Sequence, residues 1–283
     1  MSPIEQIVLG VQSLIHAIRE LFRPSLWMPW LLVLGAQLAV IAALWWFAHP
    51  TISWLMAPLL ERAAGESALR YPGNFEVMPD LYARADVLVA VLFGSIAAGA
   101  STALFAAVFA GQPLRARQGM GRALSRAVPL ILGNLPVSVL VLGFSFGLQW
   151  WLEKHGGPGL LVRLAPVLTL GFAVLLQALF LWVNPLLMLE RRTLLESLRT
   201  LPEAASHGLW TALTLAAFAM IPLWPEQMLT QGAEQIAARG TPELVGWLLV
   251  LQALVALVTG FVLTGGSVLA YQSLIRPGLE DEW

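Results

Sequence analysis

Six long apolar runs, separated by shorter polar segments, dominate the pattern of residues along this chain. They cover residues 26–48, 86–110, 128–151, 160–189, 209–225 and 244–271. Each run is close to or above the roughly 20 residues that an α-helix needs to cross the hydrocarbon core of a bilayer. The pattern predicts an all-α, polytopic membrane protein with about six transmembrane helices, built as a single integral membrane domain over residues 1–283.

Arginines are concentrated in the segments that come before the first, third and fifth apolar runs. The clusters are Arg19 and Arg23, then Arg115, Arg117, Arg122 and Arg126, then Arg191, Arg192 and Arg199. Cytoplasmic loops carry an excess of basic residues, so this rhythm predicts three hairpins with both termini in the cytoplasm. The expected location is the cell inner membrane, and the excess of arginine over lysine is typical of a bacterium with a GC-rich genome.

The same arginines are candidates for binding lipid. Basic residues near the cytoplasmic surface attract anionic headgroups. The predicted headgroup contacts are Arg115, Arg117, Arg122, Arg126, Arg191 and Arg192. Membrane lipids are therefore the first expected partners of this protein.

Residues 1–23 form an amphipathic segment ahead of the first run. Apolar residues recur there at helical spacing from Ile4 to Phe22, while polar residues such as Gln12 and Arg19 fall on the other side. This pattern predicts an interfacial helix on the cytoplasmic side. Similar basic segments, each followed by a proline and a span, recur within 118–145 and 191–218, and Pro24, Pro129 and Pro202 are predicted to mark the bends into the spans. Triplication of one helical hairpin would explain this rhythm. The positive-inside rule alone would also explain it, because any polytopic protein that obeys the rule shows a similar repeat.

The longest segment outside the spans is residues 49–85, on the predicted outer side. Its first part is predicted to be a helix lying on the outer surface. The later part carries Tyr71, Phe75, Met78 and Tyr82, which offer an aromatic surface to a protein partner. A lid packed over the hairpins is the alternative interpretation of this segment.

Composition narrows the possible functions. With 58% hydrophobic and 12% charged residues, the chain cannot be wrapped around one soluble core. The net charge of -1 makes nucleic acid an improbable partner, and the absence of cysteine excludes disulfides and thiolate chemistry. The four histidines are scattered, and no glycine-rich phosphate loop is present. The sequence therefore predicts no enzyme activity and no cofactor.

Polar residues inside the spans are the next candidates for function, because burying them in hydrocarbon is costly unless they are paired. Asp86 is the acidic residue nearest to the centre of a predicted span. It lies close enough to the predicted outer end to extend its side chain toward water. The other candidates are Gln37, Gln177 and Gln252 at mid-depth, with Asn134 and Asn184 nearer the cytoplasmic side. They either form a cluster that recognises a ligand or make interhelical hydrogen bonds worth about 0.6–2 kcal/mol each.

Small residues in the second and third runs indicate close helix packing. Gly143 and Gly147 form one pair at the spacing that lets backbones approach, and Gly94 and Gly99 belong to overlapping ones. These positions are expected to make contacts within one chain or to form a seam between two copies.

The last third of the chain carries a resemblance. The segment Val183–Arg276 contains "NPLLMLERRTLLESLRTLPEAASHGLWTALT", a charged loop and a span ending "GGSVLAYQSLIRPG". It resembles the membrane domain of glycerophosphoryl diester phosphodiesterases and related uncharacterised six-span bacterial proteins. The catalytic motif of the fused enzymes is not part of this segment. The resemblance implies a fold and a membrane location without an enzymatic activity.

Two functions are compatible with these features. The first is a non-catalytic inner-membrane protein that serves as an accessory or scaffold subunit or organises the membrane. The second is a carrier for a lipid or another apolar small molecule, which would pass through a cleft between the hairpins lined by Gln37, Gln177 and Gln252.

Overall fold

The computed structural model describes residues 1–112, 114–155 and 159–276. All regular structure in these residues is helical, with short 3₁₀ turns and one π turn between or within the α-helices. The α-helices are α1 (Pro3–Arg19), α2 (Met28–Trp45), α3 (Pro50–Ala64), α4 (Gly73–Val89), α5 (Ser95–Phe109), α6 (Ala116–Leu124), α7 (Ala127–His155), α8 (Gly159–Phe180), α9 (Val183–Met188), α10 (Leu194–His207), α11 (Leu209–Ala219), α12 (Leu223–Arg239) and α13 (Glu243–Leu274).

Six helical runs in the described residues are long and apolar enough to cross a membrane. They are Met28–Trp45, Gly73–Phe109, Ala127–Leu152, Leu164–Met188, Leu209–Thr230 and Glu243–Leu274. The prediction of an all-α polytopic protein is confirmed, and the chain is a multi-pass membrane protein. The largest difference is in the second run, which begins at Gly73 instead of residue 86 because α4 continues through a π turn at Ala90–Gly94 into α5.

The chain forms two compact units. Unit 1 comprises Met1–Pro29, Ser95–Met220 and Gly260–Trp283, and unit 2 comprises Trp30–Gly94 and Ile221–Thr259. The helices of the single membrane domain predicted from the sequence are thus divided between two compact units.

Helix α5 lies at the centre of unit 1. Its residues are mostly Ala, Gly, Ser and Thr, and nearly all of them are buried against α6, α7 and α9. Small residues allow helix backbones to approach closely where no hydrophobic effect drives helices together. A Cβ atom on Gly99 would lie 2.5 Å from Leu130 Cδ1, so a larger residue there would force the Leu130 side chain to shift.

Helices α7 and α8 pair with each other in unit 1 and expose most of their other surface. Only 11% of the most apolar part of the Ala127–Leu152 run is buried. The exposed side chains are large and apolar, as expected for helices surrounded by lipid. They include Val128, Leu132, Val139, Leu140 and Phe146 in α7 and Val167, Leu168, Leu175 and Leu179 in α8.

Gly143 and Gly147 make no close contact within the described residues. A Cβ atom on either would meet nothing within 4 Å. Of the two interpretations of this glycine pair, packing within one chain is therefore not supported.

The predicted N-terminal amphipathic helix corresponds to α1. It begins with a capping box, in which Ser2 and Glu5 exchange hydrogen bonds between side chain and backbone. A narrow strip containing Ser13, Leu14 and Ala17 is buried, and the helix packs on α11. The remaining apolar residues form an exposed stripe, which includes Ile4, Ile7, Val8, Val11, Ile15 and Ile18.

The rhythm of an amphipathic helix followed by a span is present three times, at α1, α6 and α10. Pro24 begins a 3₁₀ turn and Pro129 lies in the first turn of α7, as expected for bends into spans. The prediction for Pro202 is wrong. Pro202 lies inside α10. The chain bends later, at Gly208, where the helix ends and no hydrogen bond of the helix interior has to be broken.

Unit 2 has its own apolar core. Side chains from α2, α3, α4, α12 and the first half of α13 meet there, and the buried residues include Ile41, Leu44, Phe47, Leu60, Leu229, Val245 and Leu249. Trp45 fills the space beside Gly246, where an added Cβ would lie 2.2 Å from the indole ring. This contact fixes the C-terminal end of α2 against the first turn of α13.

Candidate functional site

A buried amide and a half-buried carboxylate meet between α2 and α4 in unit 2. Gln37 Nε2 donates a hydrogen bond of 2.8 Å to Asp86 Oδ1, and Gln37 is 4% exposed. Gln37 lies in the middle of α2, and the run that contains Asp86 begins at Gly73. That run has 37 residues, more than the roughly 20 needed to cross a bilayer, so the position of Asp86 near the outer end of its span stays a prediction. An acidic group inside membrane spans is expensive and usually has a function.

Gln252 belongs to the same unit and lies at nearly the same depth. The contact between Trp45 and Gly246 aligns α2 with α13. At a rise of about 1.5 Å per residue, Gln37 lies about 12 Å from this contact along α2. Gln252 lies about 9 Å from the same contact along α13. Both glutamines have a buried Oε1 atom without a hydrogen-bond partner among the described residues. Gln177 is half-buried and belongs to unit 1, so the three predicted glutamines do not come from one unit.

Glu226 is a second acidic residue in this part of unit 2, and the sequence analysis missed it. It lies in α12, which packs on α4, the helix that carries Asp86. The buried Tyr82 lies about one helical turn before Asp86 on α4. The fifth run was predicted to end at residue 225, whereas the helical run continues to Thr230. The unbroken helical pattern of α12 was the signal that could have placed Glu226 within it.

Asn134 and Asn184 connect two helices of unit 1. Asn134 Nδ2 donates to Asn184 Oδ1 at 2.9 Å and to the Leu130 carbonyl at 2.8 Å. This pair is an interhelical hydrogen bond between α7 and α9, which is one of the two roles considered for the polar residues in the spans.

Arg126 does not present its guanidinium to lipid. Its Nη1 donates to the carbonyl of Leu187 at 2.5 Å and to that of Arg192 at 3.2 Å, and its Nη2 donates to Arg191 at 3.1 Å. The predicted headgroup contact at Arg126 is therefore wrong, because these carbonyls at the end of α9 and in the following turn occupy the side chain.

The turn after α9 holds a buried carboxylate. Glu190 has a side chain that is 5% exposed, and Arg192 Nε lies 2.5 Å from Glu190 Oε2. The hydroxyl of Tyr271 donates to Glu190 Oε1, and Arg276 Nε is 3.7 Å from that same atom. Arg192 thus forms an ion pair, while Arg191 is exposed and adopts a left-handed conformation with φ of 54°.

The remaining predicted headgroup contacts lie on the surface of α6 and its N-terminus. Arg115, Arg117 and Arg122 are exposed, and Leu124 on the same helix is 57% exposed. Helix α10 repeats the arrangement, with Arg199 exposed and Leu195 60% exposed. Each helix therefore combines basic and large apolar side chains on its accessible surface.

Three of the four residues proposed to form an outer partner surface are buried. Phe75, Met78 and Tyr82 are each at most 3% exposed and belong to the core of unit 2. Tyr71 is exposed, and its hydroxyl donates to Glu243 Oε1 at 3.4 Å. The prediction of an aromatic surface there is wrong, because α4 turns its aromatic side into the core of unit 2.

Among the described residues, no group of three or more His, Cys, Asp or Glu side chains is placed to hold a metal ion. Comparison with protein-family models, curated proteins and solved structures gives no match to this chain.

Proposed function

We propose that this protein is a non-catalytic membrane protein of the bacterial inner membrane that serves as an accessory or scaffold subunit or organises the membrane. Its basic amphipathic helices bind anionic lipid headgroups, and both termini lie in the cytoplasm. The observation that carries the proposal is the combination of exposed arginines and exposed leucines on α6 and α10. The resemblance of Val183–Arg276 to the membrane domain of glycerophosphoryl diester phosphodiesterases supports a membrane role without catalysis.

The physical basis is the behaviour of amphipathic helices at a bilayer surface. Such a helix buries its apolar side chains at the boundary between headgroups and acyl chains and keeps its basic residues among the phosphates. Each arginine near an anionic surface contributes about 1 kcal/mol of attraction, and this attraction decreases with salt. Leu124 and Leu195 are placed to enter the boundary, while Arg115, Arg117 and Arg199 are exposed for headgroups.

The test compares two double variants of the full chain in vesicles of phosphatidylcholine and phosphatidylglycerol. In Arg115→Gln/Arg117→Gln the protein should lose selectivity for spin-labelled phosphatidylglycerol, by about fivefold for each arginine at low salt. Arg62→Gln/Arg70→Gln is the matched control, since both arginines are exposed and belong to the predicted outer segment. Equal selectivity in the wild type and the first variant would contradict the proposal.

A carrier for a lipid or another apolar small molecule is the second candidate. It is favoured by the Gln37–Asp86 pair and by the unpartnered oxygen of Gln252, because unsatisfied polar atoms inside spans can bind the polar part of a ligand. Gln252→Leu tests this role. In a carrier it should abolish transport of labelled lipid between vesicle leaflets while the protein stays folded. In a scaffold it should leave the cellular phenotype unchanged, and Gln177→Leu in unit 1 is the comparison.

A further inference from the structure

A small cavity lies in unit 1 where two membrane spans end. Its volume is about 220 Å³, and its lining includes Glu190, Arg192 and Tyr271. The span Leu164–Met188 ends just before Glu190, and the span Glu243–Leu274 contains Tyr271 in its last turns. The ends of spans lie at the level of the lipid headgroups, so the cavity opens where a headgroup would be.

The base of the cavity is built and held in place. Glu190 is buried and is fixed by the hydroxyl of Tyr271 and by ion pairs with Arg192 and Arg276. A guanidinium has five N–H donors, and a carboxylate partner does not use all of them. Arg192 can therefore hold Glu190 through Nε and still donate to an anion inside the cavity.

The charges of the lining balance each other. Arg192 and Arg276 are cationic, and Glu190 and Glu203 are anionic. No ion pair engages Glu203 in the part of the chain that the structure describes. A balanced lining does not favour a ligand with several negative charges. It favours a zwitterion whose phosphate meets Arg192 and whose cation meets Glu203.

The type of cation follows from the carboxylate of Glu203, which accepts hydrogen bonds from N–H donors. A primary ammonium carries three N–H donors for a carboxylate, whereas a quaternary ammonium carries none and is bound by several aromatic faces. Among the described residues that line the cavity, Tyr271 is the only Phe, Tyr or Trp. The apolar side chains of Leu186 and Leu274 suit the glycerol and the first acyl carbons.

We propose that this cavity binds a phosphoethanolamine group, supplied by the headgroup of phosphatidylethanolamine. The phosphate accepts hydrogen bonds from Arg192, and the ammonium donates to Glu203. This inference rests on the proposed function, since it names one lipid that unit 1 recognises. The balanced lining and the carboxylate of Glu203 distinguish the cavity from the arginine surface of α6, which attracts anionic headgroups in general.

The experiment measures lipid binding to the full chain in detergent by native mass spectrometry. Phosphatidylethanolamine, phosphatidylcholine and phosphatidylglycerol with identical acyl chains are compared, together with soluble phosphoethanolamine. Phosphatidylethanolamine should bind about tenfold more tightly than phosphatidylcholine, the preference expected from one charge-assisted hydrogen bond. Soluble phosphoethanolamine should bind more weakly than the lipid, because it lacks the part that contacts Leu186 and Leu274.

Two variants test the residues. Glu203→Gln should remove the preference for phosphatidylethanolamine, and the exposed position of Glu203 leaves folding intact. Glu61→Gln, at an exposed glutamate of α3, should keep the preference.

Several results would overturn the inference. They are equal binding of phosphatidylethanolamine and phosphatidylcholine, tightest binding of phosphatidylglycerol, an unchanged preference in Glu203→Gln, and binding of soluble phosphoethanolamine without binding of the lipid. Each can occur while Arg115→Gln/Arg117→Gln still reduces selectivity for phosphatidylglycerol. The outcome for this cavity is therefore separate from the outcome for the proposed function.

Discussion

The guanidinium of Arg126 holds the turn between α9 and α10 by donating to three backbone carbonyls. The last carbonyls of a helix lack partners within the helix, and a planar guanidinium can satisfy several of them at once. The turn also contains Glu190 and Arg192, which face the cavity of unit 1. A single side chain, just before the first residue of α7, thus keeps the cavity's residues in position.

Removing this side chain should destabilise unit 1. We expect Arg126→Gln to lower the free energy of unfolding by about 2 kcal/mol, because hydrogen bonds to a charged group contribute about 1.5–3 kcal/mol. Arg126→Lys should recover part of the loss, since an ammonium cannot reach all three carbonyls in one plane. Titration with sodium dodecyl sulfate measures the difference. Arg117→Gln, at an exposed residue, is the control, and equal stability of the two glutamine variants would contradict the assignment.

Glu196 carries a pH-dependent part of the stability of α10. The Thr193 N–H donates to Glu196 Oε2 at 2.9 Å, and this bond lowers the pKa of Glu196 below its ordinary value. A carboxyl with a lowered pKa stabilises the fold above its ordinary pKa of about 4.3, and this contribution is lost as the pH falls through the lowered pKa. Wild type should melt above Glu196→Gln at pH 7, and the difference should shrink toward pH 3. A difference that stays constant with pH would show that the charge of Glu196 has no role.

At the scale of elements, two helices approach most closely where one of them carries a glycine that faces the other. Gly133 of α7 lies against Val183 of α9, whereas Gly143 of the same helix faces open space. The spacing of small residues predicted close packing at Gly143 and gave no signal at Gly133. Spacing reports which residues share a face of one helix, and the neighbour that covers this face is set by the tertiary packing of other segments.

Alanine at these two positions should therefore have opposite effects. In Gly133→Ala the new Cβ would lie 2.6 Å from Val183 Cγ1, and a β-branched side chain cannot rotate away easily. The expected loss is about 1–3 kcal/mol, typical of overpacking. Gly143→Ala should be neutral or slightly stabilising, because alanine favours helix formation. Thermal unfolding of both variants in the same detergent measures the effects, and a loss of stability in both would mean that Gly143 also packs against a neighbour.

At the scale of the whole molecule, the orientation of the six spans remains a prediction from the arginines. Reporter fusions after Gln118, Leu198 and Gly278 should report the cytoplasm, and fusions near Gly73, Gly156 and Gln231 should report the outside. Gly156 and Gly278 lie outside the described residues. Because the chain contains no cysteine, single cysteines at Gln118 and Gly73 provide an independent labelling test. One reporter on the opposite side would contradict the arrangement of three hairpins.

The spans could be predicted because apolar length is a property of consecutive residues. Most predicted ends lie within a few residues of the observed helical runs. The exception is the second run, which begins at Gly73. Polar and apolar residues alternate in its first part, and the buried side of that part is defined only by packing on α12. The cavity residues could not be found in this way, because Glu190 and Tyr271 are separated by 81 residues and meet only in the fold.

The packing of α5 also has an evolutionary consequence. Eleven of the fifteen residues of this helix are buried, whereas only 11% of the most apolar part of the Ala127–Leu152 run is buried. Substitutions should therefore accumulate slowly in α5 and quickly in α7, where one apolar residue can replace another. A deep mutational scan should show α5 as a continuous block of intolerant positions. Distant relatives of this chain should then share the short string of alanine, glycine and serine residues in α5 when the rest of their spans have diverged.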